Sequence, residues 1–314
     1  MARALSANRQ RTPLKPGRKK EILSCYLLLA LPLIGYCLFD IYPIFWQLHK
    51  AFFRYTGVPS DTMFVGWKNF IDVFVDTPKF WEAYLVTVQF TLIKVPVELT
   101  IAIFIASLLS REQIKGKSIF RAIYYIPVLL SAVVIGVIYS NFFNYFGVIN
   151  DILLRLGLVD APVDFFQKKW VTMSTLIGGH VWNNVGTNVL YFTAALANIP
   201  KDCYEAAYLD GASRFTTFRK ITLPLMGPVL STILLLSFLG TLGVGEYILV
   251  TSAGMPAGET QSVSMFMLTS YMPGFATGTI NIGFASALTF VYSIISLILS
   301  MSFRKLSSWL TSRT

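Results

Sequence analysis

Between two long apolar runs the chain reads IPKDCYEAAYLDGASRFTTFRKITLP, Ile199 to Pro224, and the architecture turns on this segment. Pro200 suits a first helical turn and Asp202 favours a helix N-terminus, so a short helix is predicted over Cys203 to Leu209. Gly211 can adopt the left-handed conformation that ends such a helix. Ser213 is a good N-cap for a second helix through Phe218 and Lys220, and Pro224 sets the start of the next apolar run. The segment reads as helix, turn, helix.

The two flanking runs belong to a set of six. Crossing a bilayer core takes about 20 mostly apolar residues. Ile22 to Trp46, Ala83 to Leu109, Ile119 to Phe143, Trp170 to Leu196, Leu225 to Val250 and Asn281 to Phe303 meet that demand. Composition agrees: 54% of the 314 residues are hydrophobic and 13% charged, against about 25% charged in soluble domains. This argues against a water-soluble enzyme and for an all-α polytopic membrane protein. Residues 1–21 read as a basic cytoplasmic tail, 22–303 as one six-helix transmembrane domain and 304–314 as a second cytoplasmic tail. The first run is too long for a signal peptide and is followed by further runs, so it reads as an uncleaved helix. The Gly/Pro-rich stretch Ser252 to Ile280 reads as loop rather than a seventh span. In the first outside loop, Gln47 to Glu82, the spacing of Trp67, Phe70, Phe74 and Phe80 predicts an amphipathic helix.

The net charge of +10 could suit nucleic acid, but the basic residues fall in the gaps between apolar runs, so no nucleic-acid partner is expected. Eighteen Lys and Arg lie on the side holding both termini and seven on the other, with Lys94 inside a run. The positive-inside rule therefore places both termini in the cytoplasm of a multi-pass cell-membrane protein. The first 20 residues are expected to be disordered or to lie on anionic membrane lipid, the alternative being that they serve only as a topology signal. Cys25, Cys37 and Cys203 are odd in number and widely spaced, and no disulfide is expected.

Polar groups inside apolar runs are costly, so they mark candidate sites. His180, Asn183, Asn184, Thr187, Asn188 and Tyr191 recur at three- and four-residue steps along one helical face. Asn offers donors and acceptors that match sugar hydroxyls without imposing charge; the competing role is glue between helices. His180 reads equally well as a packing residue. The fifth run adds Thr241, Gly243, Gly245, Glu246 and Tyr247, with Glu246 either solvated near the outer mouth or contacting a solute. Lys94 and Glu98, four apart around Pro96, suit an internal ion pair; a proton relay is the sharper possibility. Gly116, Lys117 and Ser118 imitate the end of a phosphate-binding loop, but Arg111 stands where the earlier glycine is needed. Neither a metal site nor a catalytic arrangement is expected.

The spacing Glu205, Ala206, Ala207, three residues, Gly211, nine residues, Ile221, Thr222, Leu223, Pro224 resembles the EAA loop of binding-protein-dependent ABC importer permeases. FVGWKNF at Phe64 to Phe70, FRAIYYIP at Phe120 to Pro127, TSAGMPAGET at Thr251 to Thr260 and GFASAL at Gly283 to Leu288 are similar to further segments of the maltose-type sugar permeases, in the same order. Met255 departs from the glycine often found there.

The resemblance implies a type I importer permease fold in which the loop is a coupling helix docked on a separate ATPase, through Glu205, Ala206, Ala207, Asp210, Gly211, Ile221, Leu223 and Pro224. It implies a dimer of ATPase subunits that binds the ATP and Mg, a second homologous permease with a homodimer as runner-up, and an extracytoplasmic solute-binding protein. This chain itself would hold no cofactor and no ATPase site. The resemblance also puts His180, Asn183, Asn184, Thr187 and Thr241 on a sugar cavity, to which the stripe adds Tyr191. Spans four and five carry no internal basic side chain, which favours a neutral solute over glycerol phosphate. A peptide is a further candidate cargo, and a proton-driven transporter using Lys94, Glu98 and Glu246 is the competing class of function.

Overall fold

The computed structural model describes residues 16–110, 114–272, 274–276 and 280–312. Most of the expected basic tail, 1–15, lies outside the described residues, as does Arg111. Helix α1 (Pro16–Tyr36) passes through a π-helical turn at Cys37–Ile41 into α2 (Tyr42–Lys50). Pro43 accounts for the widened turn: it has no N–H to donate and its ring crowds the carbonyl four residues back. The Tyr42 N–H bonds Cys37 O, five residues back, instead.

A two-stranded antiparallel ribbon, β1 (Phe53–Arg54) and β2 (Met63–Phe64), follows. Next come α3 (Lys68–Val75), the amphipathic helix expected in this loop, and α4 (Pro78–Leu109). Phe80, grouped with α3 from its spacing, instead lies in the first turn of α4 and is fully buried. The 32 residues of α4 span about 48 Å at 1.5 Å per residue, more than a bilayer core needs.

The third apolar run is bent rather than straight. α5 (Lys117–Tyr125) and a 3-10 turn at Ile126–Leu129 meet α6 (Ala132–Phe142) at 100°. Pro127 sits in the turn, and Ser131 restarts the helix by accepting the Val134 N–H. Then follow α7 (Val148–Arg155) and α8 (Lys169–Ala197). The connecting loop forms α9 (Lys201–Leu209), α10 (Arg214–Thr217), a π-turn at Phe218–Thr222 and α11 (Leu223–Leu225). α12 (Gly227–Leu242) leaves this segment at 76°.

Two expectations are corrected beyond this point. The run Leu225 to Val250 is not one helix: it breaks after Leu242 and restarts as α13 (Gly245–Ser252). The stretch expected as loop, Ser252 to Ile280, contains α14 (Val263–Tyr271), with Val263, Met265 and Phe266 buried. Its glycines and prolines cluster on either side of a nine-residue apolar stretch, and Ser262 caps that stretch by accepting the Met265 N–H. Gly245 lets α13 approach α14 so closely that a Cβ would overlap the Met265 backbone nitrogen. α15 (Ile282–Ser312) completes the described chain.

Among the described residues, three helical stretches are long and apolar enough to cross a membrane, Leu23–Lys50, Pro78–Leu109 and Ile282–Lys305, and two bent pairs qualify when each is taken as one span. The remaining expected span, α8, has 29 residues and carries the polar stripe. The larger core joins α4, α6, α8, α12 and α13 through Phe90, Leu99, Ile135, Leu176, Ile233 and Ile248. A smaller one joins α3, α4, α14 and α15 through Val73, Phe80, Phe266 and Leu288. α4 belongs to both, so it is the fold's central post. No residue of the apolar window in Leu23–Lys50 is buried.

Candidate functional site

Two places carry the sequence-predicted site residues: the Ile199–Pro224 loop and the polar face of α8. In the loop, α9 ends at Asp210 in a Schellman turn. The Ala212 N–H bonds Ala207 O at 2.9 Å, the Gly211 N–H bonds Tyr208 O at 3.1 Å, and Gly211 has φ +67°. Ser213 caps α10, accepting the Thr216 N–H at 3.2 Å. Pro224 has the same effect as Pro43, and the Leu223 N–H bonds Phe218 O across the π-turn. The Tyr204 and Thr222 hydroxyls meet at 3.2 Å and tie α9 to that turn.

This bracing leaves Glu205, Ala206, Asp210 and Gly211 exposed, Ala207 buried, and Ile221, Leu223 and Pro224 half-buried. Three residues that the sequence motifs do not single out stand beside them: Tyr208 and Leu209 are each 84% exposed and Phe215 72%. Large apolar side chains on the outer face of a charged loop are the signal that could have found them.

Along α8 the stripe divides by depth and direction. His180 is buried between the rings of Phe90 and Tyr247, with centroids at 5.8 and 5.6 Å. Asn183 donates to Pro127 O at 2.6 Å and so fastens α8 to the bend between α5 and α6. Asn184 donates to His180 O at 2.9 Å. Asn188 is buried and donates both to Glu98 and, at 3.0 Å, to Ser237 Oγ. Thr187 is half-buried and Tyr191 exposed. Thr241 is fully buried, its hydroxyl donating to Ser237 O at 2.8 Å.

Lys94 and Glu98 form the ion pair their spacing suggests, both almost wholly buried. Asn188 brings that pair into the α8 stripe, a junction of α4, α8 and α12 that local spacing does not reveal. Glu246 is exposed at the start of α13. The stripe thus divides: Asn183 and Asn188 bond groups outside α8, His180 packs between rings of α4 and α13, Asn184 bonds back to its own helix, and Thr187 and Tyr191 stand toward the open side. Its chemistry is that of amides and hydroxyls, suited to a neutral polyhydroxylated solute. Among the described residues no group of three or more His, Cys, Asp or Glu could hold a metal ion.

Known proteins share this architecture. The chain is 34% identical over 282 residues to the trehalose/maltose transport system permease protein MalF of Thermococcus litoralis, covering 88% of this chain and 90% of that one. It is 29% identical over 243 residues to the lactose transport system permease protein LacF of Rhizobium radiobacter, covering 76% and 80%. A chain in the crystal structure of a bacterial alginate ABC transporter, in complex with an alginate pentasaccharide-bound periplasmic protein, has the same fold. Its TM-score is 0.76 at 24% identity, with 93% of this chain and 97% of that one covered. Residues 98–312, well over half of the chain, match the family of binding-protein-dependent transport system inner membrane components, and the chain belongs to that family.

Proposed function

We propose that this chain is the permease through which an ATP-driven, binding-protein-dependent importer takes up a sugar or oligosaccharide. The observation that carries the reading is the likeness to a trehalose/maltose permease along 88% of the chain. The uncharged polar stripe supports it. Asn183, Asn184, Thr187 and Tyr191 form the wall of the solute cavity, and His180 and Thr241 stand behind that wall, reached when α8 and α12 part. The cycle is alternating access, with the two orientations biased by the ATPase.

The Ile199–Pro224 loop is the grip for a dimer of ATPase subunits, which binds the ATP and Mg. Glu205, Ala206, Ala207, Asp210 and Gly211 form its docking element, Tyr208, Leu209 and Phe215 add apolar area, and Ile221, Leu223 and Pro224 carry the motion into α12. The loop lies in the cytoplasm, on the side with the excess of Lys and Arg. A second homologous permease completes the pathway, with a homodimer as the runner-up arrangement, and a solute-binding protein delivers cargo from outside. The proton-driven reading is disfavoured because Lys94 and Glu98 are bonded to each other and buried.

Uptake of a labelled oligosaccharide by cells carrying the whole system tests this. Accumulation should survive a protonophore and stop when the ATPase is deleted. Concentrative uptake by this chain alone in liposomes would overturn the proposal.

A further inference from the structure

Two concavities lie end to end along the same three helices. The first, of 690 Å³, is an apolar trough lined by Ile93, Val97, Ile101 and Ile105 of α4, by Ile123 and Tyr124 of α5 and by one side of α8. The second, of 730 Å³, lies at the loop end, between α5 and the Ile199–Pro224 loop. Leu109 lines the second and continues the α4 row that lines the first at the same four-residue step. On α5, Arg121 and Lys117 likewise follow Tyr124 at three- and four-residue steps. The surface changes from hydrocarbon to cation along one line.

The loop-end cavity is lined by Lys117, Arg121, Lys201 and Arg214, and by no carboxylate among the described residues. Lys201 already has a partner, while among the described residues Lys117, Arg121 and Arg214 make no salt bridge. α5 supplies a second sign. It runs at 100° to the following membrane helix, with Ile119 68% and Ile123 62% exposed and Lys117 and Arg121 on its cationic face. The cations of such a helix sit at headgroup level.

We propose that the chain holds one anionic phospholipid here, its phosphate among Lys117, Arg121 and Arg214 and its acyl chains along the α4 trough. Basic pockets between helices at a membrane surface capture anionic headgroups by charge. The trough selects a lipid over a free phosphate: inorganic phosphate would satisfy the cations and leave the hydrocarbon wall bare. The site is independent of the cargo, and it places a lipid headgroup against the element that carries Tyr204, Tyr208 and Arg214.

The test uses the full chain in its assembled transporter, delipidated and re-equilibrated in mixed micelles with equal phosphatidylglycerol and phosphatidylcholine, with bound lipid counted by native mass spectrometry. One phosphatidylglycerol per chain should be retained. Lys117→Gln with Arg121→Gln should cut that occupancy at least fivefold while leaving phosphatidylcholine adducts unchanged. Ile101→Trp, which fills the trough and leaves the cations in place, should cut it as well, and glycerol phosphate should fail to displace the lipid. Equal retention of both lipids, indifference to the cation variants, displacement by glycerol phosphate, or no retained lipid because another subunit covers the trough would each overturn the assignment.

Discussion

Asn188 of α8 donates its side-chain amide to the Glu98 carboxylate of α4, ninety positions away in sequence, while Lys94 pairs with the same carboxylate one turn earlier on α4. A buried acid is thus shared by a cation on its own helix and an amide on the next.

Breaking this junction from one side leaves an unpaired charge in the core. Lys94→Met should lower stability by about 3–5 kcal/mol. Combining it with Glu98→Gln should recover most of that loss, because the stranded charge is gone and the Asn188 contact can persist. Thermal unfolding in detergent of the two single variants and the double variant checks this.

Gly179 is required by its neighbours rather than by its backbone conformation. A Cβ there would overlap the Tyr247 hydroxyl and press on the Tyr139 ring. That hydroxyl donates to Leu176 O at 3.0 Å. Gly179→Ala should destabilise the chain by about 1–3 kcal/mol, and Tyr247→Phe alone by about 1 kcal/mol. The two together should cost less than their sum, since the phenylalanine removes the overlapping atom. Additive losses in a double-mutant cycle would show that Tyr139 is the main obstacle.

The turn at Gly211 is set by a positive φ that proline cannot adopt. Gly211→Pro should leave the protein inserted and abolish stimulation of the ATPase. Gly211→Ala, strained by about 1–2 kcal/mol, should give an intermediate loss. Ser213→Ala removes the α10 cap, worth about 1 kcal/mol, together with the hydroxyl contact to Thr216 Oγ1, and should show as faster amide exchange at Thr216.

On the open side of the stripe, hydroxyls can be removed without disturbing the bonds between helices. Thr187→Val and Tyr191→Phe should together weaken uptake of the sugar severalfold at limiting concentration, with an unchanged unfolding temperature. Identical uptake kinetics would assign the stripe wholly to helix packing. Asn183→Ala is the less informative variant, because it also releases α8 from Pro127 O.

Much of the fold is legible in local sequence because a bilayer demands long apolar runs, and Gly211 and Ser213 mark the loop's turn and cap through backbone rules that act over three or four residues. Directions are less legible. Nothing in the run Ile119 to Phe143 says that its two halves meet at 100°, since apolarity fixes solvent preference and not angle. α14 escapes notice because its flanking glycines and prolines dominate the local composition, although Ser262 before an apolar stretch is a readable start signal. The two-residue strands β1 and β2 are too short to give an alternating pattern. In the candidate site, residue types and helical face can be read locally, but the division of the stripe cannot. Which asparagine bonds Pro127 and which bonds Glu98 depends on partners 56 and 90 positions away.

The polarity of α8 bears on how the chain is made. A helix with His180 and asparagines at 183, 184 and 188 in its middle gains little by moving alone from the insertion channel into lipid. α4 is synthesised earlier and carries the carboxylate that Asn188 needs. Biogenesis should therefore proceed by pairs, with α8 held at the channel until α4 receives it, so a defect at Glu98 would surface first as nascent chains stalled or degraded with their fourth span unthreaded.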